Sequence, residues 1–260
     1  MTIREAIIYG TDNIGSRDAM LLLRHITGQI SAYIMLHEDT PLINSAEFLS
    51  YVDRCKQGEP LQYIIGEWDF MGQTLQTDSR ALIPRPETEL LVEEALKFLK
   101  PGMTVLDLCT GSGCIAAAIA RAGECSVTAA DISADALVLA KENGKGLGIH
   151  FIQSDLFSEI HGLFDIIISN PPYVTSAEMD MLSCTVANYE PHLALHGGED
   201  GMDIYRKLIP ESLKFLKPGG VLFLEIGPAA VKDIMIESGF KNVCMKQDYA
   251  GLNRIVYGVK

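Results

Sequence analysis

Long apolar runs are missing from the 260 residues: no stretch approaches the ~20 needed to cross a bilayer, so no membrane association is expected. No export leader is expected either, because Met1 to Gly10 carries Arg4 and Glu5 but no extended apolar segment. Cysteine is sparse and unpatterned. Cys55, Cys109, Cys114, Cys125, Cys184 and Cys244 form no C-x-x-C pair and no zinc-spaced cluster, so free thiols and no metal site are expected. Basic residues are also few. Against 34 acidic residues stand 21 Lys and Arg, a net charge of −13. Non-specific nucleic-acid affinity comes from Lys and Arg displacing counterions, so direct nucleic-acid binding is disfavoured. Internal repeats and low-complexity tracts are absent. The expectation is a cytoplasmic monomer.

The apolar fraction, 48%, with only 21% charged residues, is enough to bury a sizeable core. Residues 1–62 read as a small all-helical domain. Ala19, Leu22 and Leu23 repeat with helical period before Gly28, and Phe48, Leu49 and Val52 share one face of a later helix. Residues 63–84 read as a β-hairpin linker: Tyr63, Ile64, Ile65, Trp68 and Phe70 are strand formers, and Gly72 breaks the run. Pro86 suits a first helical position, with Glu87 and Glu89 at the positive end of that helix.

Over residues 85–260 strands and helices alternate. Strands are expected at 105–108, 126–130, 150–153, 164–169, 221–225, 241–246 and 253–259, and helices at 115–122, 134–143, 204–215 and 231–238. Such alternation predicts an α/β fold, a parallel sheet with helices on both faces. The stretch 174–202 carries little secondary-structure signal and reads as a long functional loop. Lys217-Pro218-Gly219-Gly220 reads as a turn before the strand that follows.

Asp107-Leu108-Cys109-Thr110-Gly111-Ser112-Gly113 joins a strand to a helix, where ligands of open parallel sheets bind. Glycines there let a ligand approach the backbone. Asp107 lies in the strand, and Asp131 ends the next strand, a position from which a carboxylate holds ribose hydroxyls. A plain turn or a nicotinamide site remains open from the loop alone, since Gly111-x-Gly113-x-x-Ala116 fits that fingerprint as well. An acid just before the loop favours a ligand with an ammonium end, as in S-adenosylmethionine. Asp155 and Leu156, after the third strand, are placed to meet an adenine, or simply to start a turn.

Asn170-Pro171-Pro172-Tyr173 directly follows an apolar strand. Two prolines stiffen the chain, Asn170 adds a carbonyl acceptor, and Tyr173 offers a flat face. Together they can hold a planar –NH2 by its two hydrogens and aim its nitrogen at a methyl donor. Asn170, Pro171 and Tyr173 are the candidate catalytic residues, and the four together the candidate substrate site. Cofactor contacts are expected from Asp107, Cys109, Thr110, Gly111, Ser112, Gly113, Asp131, Asp155, Leu156 and Asn170.

These residues resemble the class I S-adenosylmethionine-dependent methyltransferases of the Asn-Pro-Pro-Tyr type. With Gln62-Tyr63-Ile64-Ile65-Gly66, the run Leu82 to Glu89, Glu190-Pro191, Gly197 to Gly201 and the closing Asp248 to Arg254, the chain is similar over nearly its whole length to the peptide chain release factor glutamine methyltransferases, the HemK/PrmC family. The resemblance implies a seven-stranded Rossmann-like sheet with an antiparallel last strand. It also implies N5-methylation of the glutamine in the Gly-Gly-Gln motif of class 1 release factors, and a helical module that helps dock the substrate. Where the family more often has glycine this chain has Cys109. Alternatives are methylation of a ribosomal-protein glutamine, of adenine N6 or guanine N2 in nucleic acid, or a non-catalytic cofactor-binding scaffold. Arg85 and Glu87 are either supports of the site or surface charges; Glu225, ending a strand, is a weaker candidate. The six histidines are scattered.

Overall fold

A computed structural model of the chain describes residues 1–227 and 230–260. The chain divides into two compact units, residues 1–67 with 183–189, and residues 68–182 with 190–260.

The first unit is helical: α1 (Ile3–Ile14), α2 (Ser16–Thr27), α3 (Ser31–Leu36), α4 (Ser45–Lys56) and α5 (Leu61–Ile65). Thr2 and Glu5 cap α1 reciprocally, and Gly28, at φ +65°, ends α2 by donating to the Arg24 carbonyl. Ala6, Leu22, Leu23, Ile34, Phe48 and Val52 form its core, each fully buried. Tyr63, Ile64 and Ile65 are therefore helical, not the start of a strand. Leu61 and Ile64 lie one turn apart and are both buried in this core, and that burial overrides β-branched propensity. Gly66, at φ +79°, stops the helix.

The hairpin begins later than expected, as β1 (Glu67–Phe70) and β2 (Gln73–Gln76). Met71 and Gly72, at φ +52° and +70°, make the tight turn between them.

The second unit continues with α6 (Pro86–Leu96), β3 (Thr104–Leu108), α7 (Cys114–Ala122), β4 (Ser126–Asp131), α8 (Ala134–Asn143), β5 (His150–Gln153) and β6 (Phe164–Ser169). After β6 come α9 (Ser176–Met179), α10 (Cys184–Tyr189, counted with the first unit) and a 3-10 turn at His192–Ala194. Then follow α11 (Asp203–Phe215), β7 (Leu216–Glu225), α12 (Val231–Ser238), β8 (Lys241–Gln247) and β9 (Asn253–Val259). The stretch 174–202 is thus short helices rather than open loop; Thr175 and Glu178 form a capping box for a helix too short to show periodicity. Lys217 to Gly220 lie within β7, unopposed between the pairs Leu216–Phe164 and Val221–Ile166.

The seven strands are ordered β5-β4-β3-β6-β7-β9-β8, parallel except for β9, which runs antiparallel to both its neighbours. Successive residues alternate between faces. Leu106, Leu108, Ile167, Leu222 and Leu224 pack with Tyr205, Leu208 and Ile209 of α11. Val105, Ile166, Ile168 and Phe223 pack with Leu91 of α6 and Ile115 of α7. The order reverses between β3 and β6, which opens a crevice at the carboxyl edge. Register sets what lines that edge: Leu108, Ala130, Ser169 and Leu224 form one row across four strands. The residues one step beyond them, Cys109, Asp131, Asn170 and Glu225, arrive at the same level.

Candidate active site

At the end of β3, Asp107 is fully buried. Its Oδ2 accepts the Thr110 hydroxyl at 2.6 Å and the Ala116 N–H, in the first turn of α7, at 3.1 Å. Gly113, the N-cap of α7, brings no side chain, so the strand carboxylate serves as the cap. Asp107 Oδ1 is a buried oxygen without a partner among the described residues. Burial lifts this carboxyl to about 7. Asp107 thus sits beneath the loop and is not on the wall of the crevice.

Cys109 follows at φ +57°, Gly111 at +54° and Gly113 at +78°. This is left-handed backbone, which glycine adopts freely and cysteine at a cost. A Cβ on Gly113 would lie 3.0 Å from the Ala140 backbone, so that glycine lets α8 approach the loop. Burial pushes the Cys109 thiol up to about 12. Asn143, in the last turn of α8, was not anticipated. Its Nδ2 donates to the Ser112 carbonyl at 2.9 Å and the Gln76 carbonyl at 3.1 Å, and its Oδ1 accepts the Gln76 N–H at 2.7 Å. It ties the glycine loop to β2.

Asp131 Oδ2 accepts the Gly111 N–H at 2.8 Å and its Oδ1 the Ser133 N–H at 2.9 Å. Burial raises its pKa against these bonds. Each oxygen keeps a further lone pair. Leu156, at φ +48°, is held by the Ser154 hydroxyl, which donates to its carbonyl at 2.8 Å; Asp155 beside it is exposed.

Asn170 donates from Nδ2 to Thr88 Oγ1 at 3.2 Å. Thr88 donates to Glu225 Oε2 at 2.6 Å, and Tyr173 donates from its hydroxyl to Glu225 Oε1 at 3.2 Å. The Glu225 backbone carbonyl accepts the Tyr205 hydroxyl at 2.8 Å. Glu225 is 1% exposed, and burial raises its pKa despite the Thr88 and Tyr173 bonds. Arg85 pairs with Glu190 at 2.5 Å, and the Ile83 N–H donates to the same carboxylate at 3.3 Å, which fixes the strap 190–196 to the chain before α6.

A single cavity of about 1160 Å³, counted to its open mouth, gathers these groups. Cys109, Thr110, Gly111 and Ser112 form one wall, and Asp131, Asp155 and Leu156 another. Asn170, Pro172, Thr88 and Arg85 close it. Of the residues singled out from sequence, Asp107, Gly113, Pro171, Tyr173, Glu87 and Glu225 do not line it. Tyr173, expected to present a flat face to substrate, is turned the other way: its hydroxyl is on Glu225, and a Cβ on Gly227 would meet its ring at 2.6 Å. Thr88 and Asn143 were missed, and Glu225 was underrated. Thr88 shares the buried stripe of Leu91, Val92 and Ala95, where a hydroxyl requires a partner. Glu225 closes the apolar run Val221 to Leu224 of its strand.

The profile of the methyltransferase small domain matches residues 86–199, and that of the PrmC N-terminal domain residues 12–66. A release factor glutamine methyltransferase of Thermodesulfovibrio yellowstonii is 40% identical over 98% of this chain and 95% of its own length. One from Koribacter versatilis is 37% identical over 100% and 99%. Among solved structures, a methyltransferase from Pyrococcus furiosus superposes with a TM-score of 0.56 at 21% identity, over 83% of this chain and 97% of that one, a likeness of fold.

Proposed function

The chain belongs to the release factor glutamine methyltransferases, and from that premise we propose that the cavity at the carboxyl edge of the sheet transfers a methyl group from S-adenosylmethionine to the side-chain nitrogen of a release-factor glutamine. The observation that carries the assignment is that Asn170 shares one cavity with Asp131 and Leu156.

The residues fit the cofactor. Asp131 is held by two backbone N–H groups with lone pairs remaining for ribose hydroxyls. Leu156 supplies an apolar face for a purine, and Asp155 an acceptor beside it. The orphaned Oδ1 of Asp107 is a buried polar atom under the glycine loop with no partner among the described residues, and marks that end of the site as polar. When bound, S-adenosylmethionine supplies an electrophilic methyl carbon.

The protein's part is mostly geometric. A carboxamide nitrogen is a poor nucleophile because its lone pair is delocalised. Asn170 Oδ1 accepts a hydrogen from the substrate –NH2, which raises electron density on nitrogen and fixes its direction. Positioning of this kind contributes roughly 7–11 kcal/mol to lowering a barrier. The same oxygen stabilises the positive charge that develops on nitrogen. The proton can leave after transfer, so no strong base is needed. Pro171 and Tyr173 act from behind the wall by stiffening the corner, and Pro172 flanks the acceptor.

With a net charge of −13, the chain favours a protein substrate over a polyanion. Among the described residues no helix is long and apolar enough to cross a membrane. We assign the chain to the cytoplasm as a monomer without direct nucleic-acid contact, with residues 1–62 as a substrate-docking module.

The test is incubation with labelled S-adenosylmethionine and, separately, a class 1 release factor, a ribosomal protein and DNA, followed by mass mapping. Label on the Gly-Gly-Gln glutamine is expected. Label confined to the ribosomal protein or to DNA would replace this reading with one of its rivals, and label nowhere would leave only a binding scaffold.

A further inference from the structure

The chain Asn170–Thr88–Glu225 does more than satisfy buried groups. We propose that Thr88 and Glu225 are positioning residues that set the sense of the Asn170 carboxamide, holding its nitrogen inward and its oxygen toward the substrate amide. This rests on the reading of Asn170 as the amide acceptor.

The two ends of a carboxamide have nearly the same shape and opposite hydrogen-bonding character. If Asn170 turned over, its –NH2 would face the –NH2 of the substrate, donor against donor. Proline neighbours restrict the backbone but cannot distinguish the two orientations of the side chain. Thr88 can. Its hydroxyl has one proton, and that proton goes to Glu225 Oε2 at 2.6 Å. What remains toward Asn170, at 3.2 Å, is a lone pair, which only Nδ2–H can meet. The polarity of the chain therefore originates at the carboxylate. An ionised glutamate accepts and cannot donate.

The surroundings lock Glu225 in place. Tyr173 donates to its other oxygen at 3.2 Å, and Tyr205 donates to its backbone carbonyl at 2.8 Å. At 1% and 2% exposure, Glu225 and Thr88 are shielded from water that would otherwise randomise the pattern. The three residues come from β7, from the first turn of α6 and from the end of β6. Thr88 also lines the cavity, so the relay begins at its wall.

Four variants test this, each assayed on the release factor for turnover and KM, with S-adenosylhomocysteine affinity measured by calorimetry. T88V keeps shape and removes the hydroxyl. It is expected to lower kcat by about tenfold to a hundredfold, the range for leaving one buried polar group mispaired. Cofactor affinity should stay within about twofold, since the Thr88 hydroxyl bonds Glu225 and Asn170 and neither Asp131 nor the glycine loop. T88S restores the hydroxyl and should recover kcat to within about threefold of wild type. E225Q, which can donate as well as accept, should lower kcat, and T88V/E225Q should be no slower than the slower single variant, as members of one relay are non-additive. If T88V does not fold, E225Q decides alone: unchanged turnover overturns the proposal. It is also overturned if T88V keeps turnover within twofold, if T88S is as impaired as T88V, or if the two losses multiply. Failure of the relay leaves wild-type methylation of glutamine intact, whereas failure of the functional reading abolishes it for wild type.

Discussion

Burial of Asp107 gives the chain a pH response with a definite sign. Its folded-state value of about 7 lies above the ordinary carboxylate value of about 3.9. The folded chain therefore keeps a proton that the unfolded chain releases, so this group's stability contribution is full below about pH 4 and is lost as pH rises through about 7. Asp107→Asn is neutral throughout. Between pH 5 and pH 8 the wild-type Tm should fall more than that of the variant; parallel curves would mean that Asp107 stays ionised. Spacing alone pointed to Asp107 as a ligand contact. What it did not reveal is which way the side chain turns. Leu106 and Leu108 face one core cluster and Asp107 faces the other with Val105, under the start of α7. Alternation along the strand carried that information. Asn143, Thr88 and Glu225 were harder to see because their partners lie 31, 82 and 137 residues away in sequence.

Among the elements, the glycine loop separates two demands that its sequence merges. Gly111 needs only its left-handed backbone: a Cβ there would find nothing closer than Ala81 at 4.0 Å. Gly113 needs the backbone and the space, because Ala140 of α8 lies 3.0 Å from a Cβ at that position. Gly111→Ala should cost about 1–2 kcal/mol, the strain of one left-handed residue, and Gly113→Ala distinctly more. Denaturant unfolding measures both, and equal losses would mean that α8 yields to the methyl group. Strands and helices of the sheet unit were readable because a two- or 3.6-residue period persists long enough to register. The exceptions have physical causes. Tyr63 to Ile65 carry strand propensity, but Leu61 and Ile64, one helical turn apart, are buried in a helical core, and α9 has only four residues. Lys217 to Gly220 have turn composition yet continue as a bulge in β7.

For the whole molecule, function was more legible than mechanism. The glycine loop, Asp131 and the Asn170–Tyr173 corner fall in one chain order, and parallel register brings Cys109, Asp131 and Asn170 to one level. A net charge of −13 weighed against the polyanion rivals, which stayed among the alternatives. Pattern could not assign the division of labour within the corner, because Pro171 and Tyr173 are adjacent to Asn170 in sequence yet stand behind the wall. The central claim is that Asn170 acts on the substrate amide while Asp131 holds the cofactor. It is tested most directly by single-turnover methyl transfer and S-adenosylhomocysteine calorimetry on Asn170→Ala and Asp131→Ala in parallel. Asn170→Ala should lose about a hundredfold or more in transfer rate, the scale of removing one preorganised acceptor, with cofactor affinity nearly unchanged. Asp131→Ala should weaken cofactor binding first and recover much of its rate at saturation. Equal loss of rate and cofactor affinity in Asn170→Ala would contradict the account.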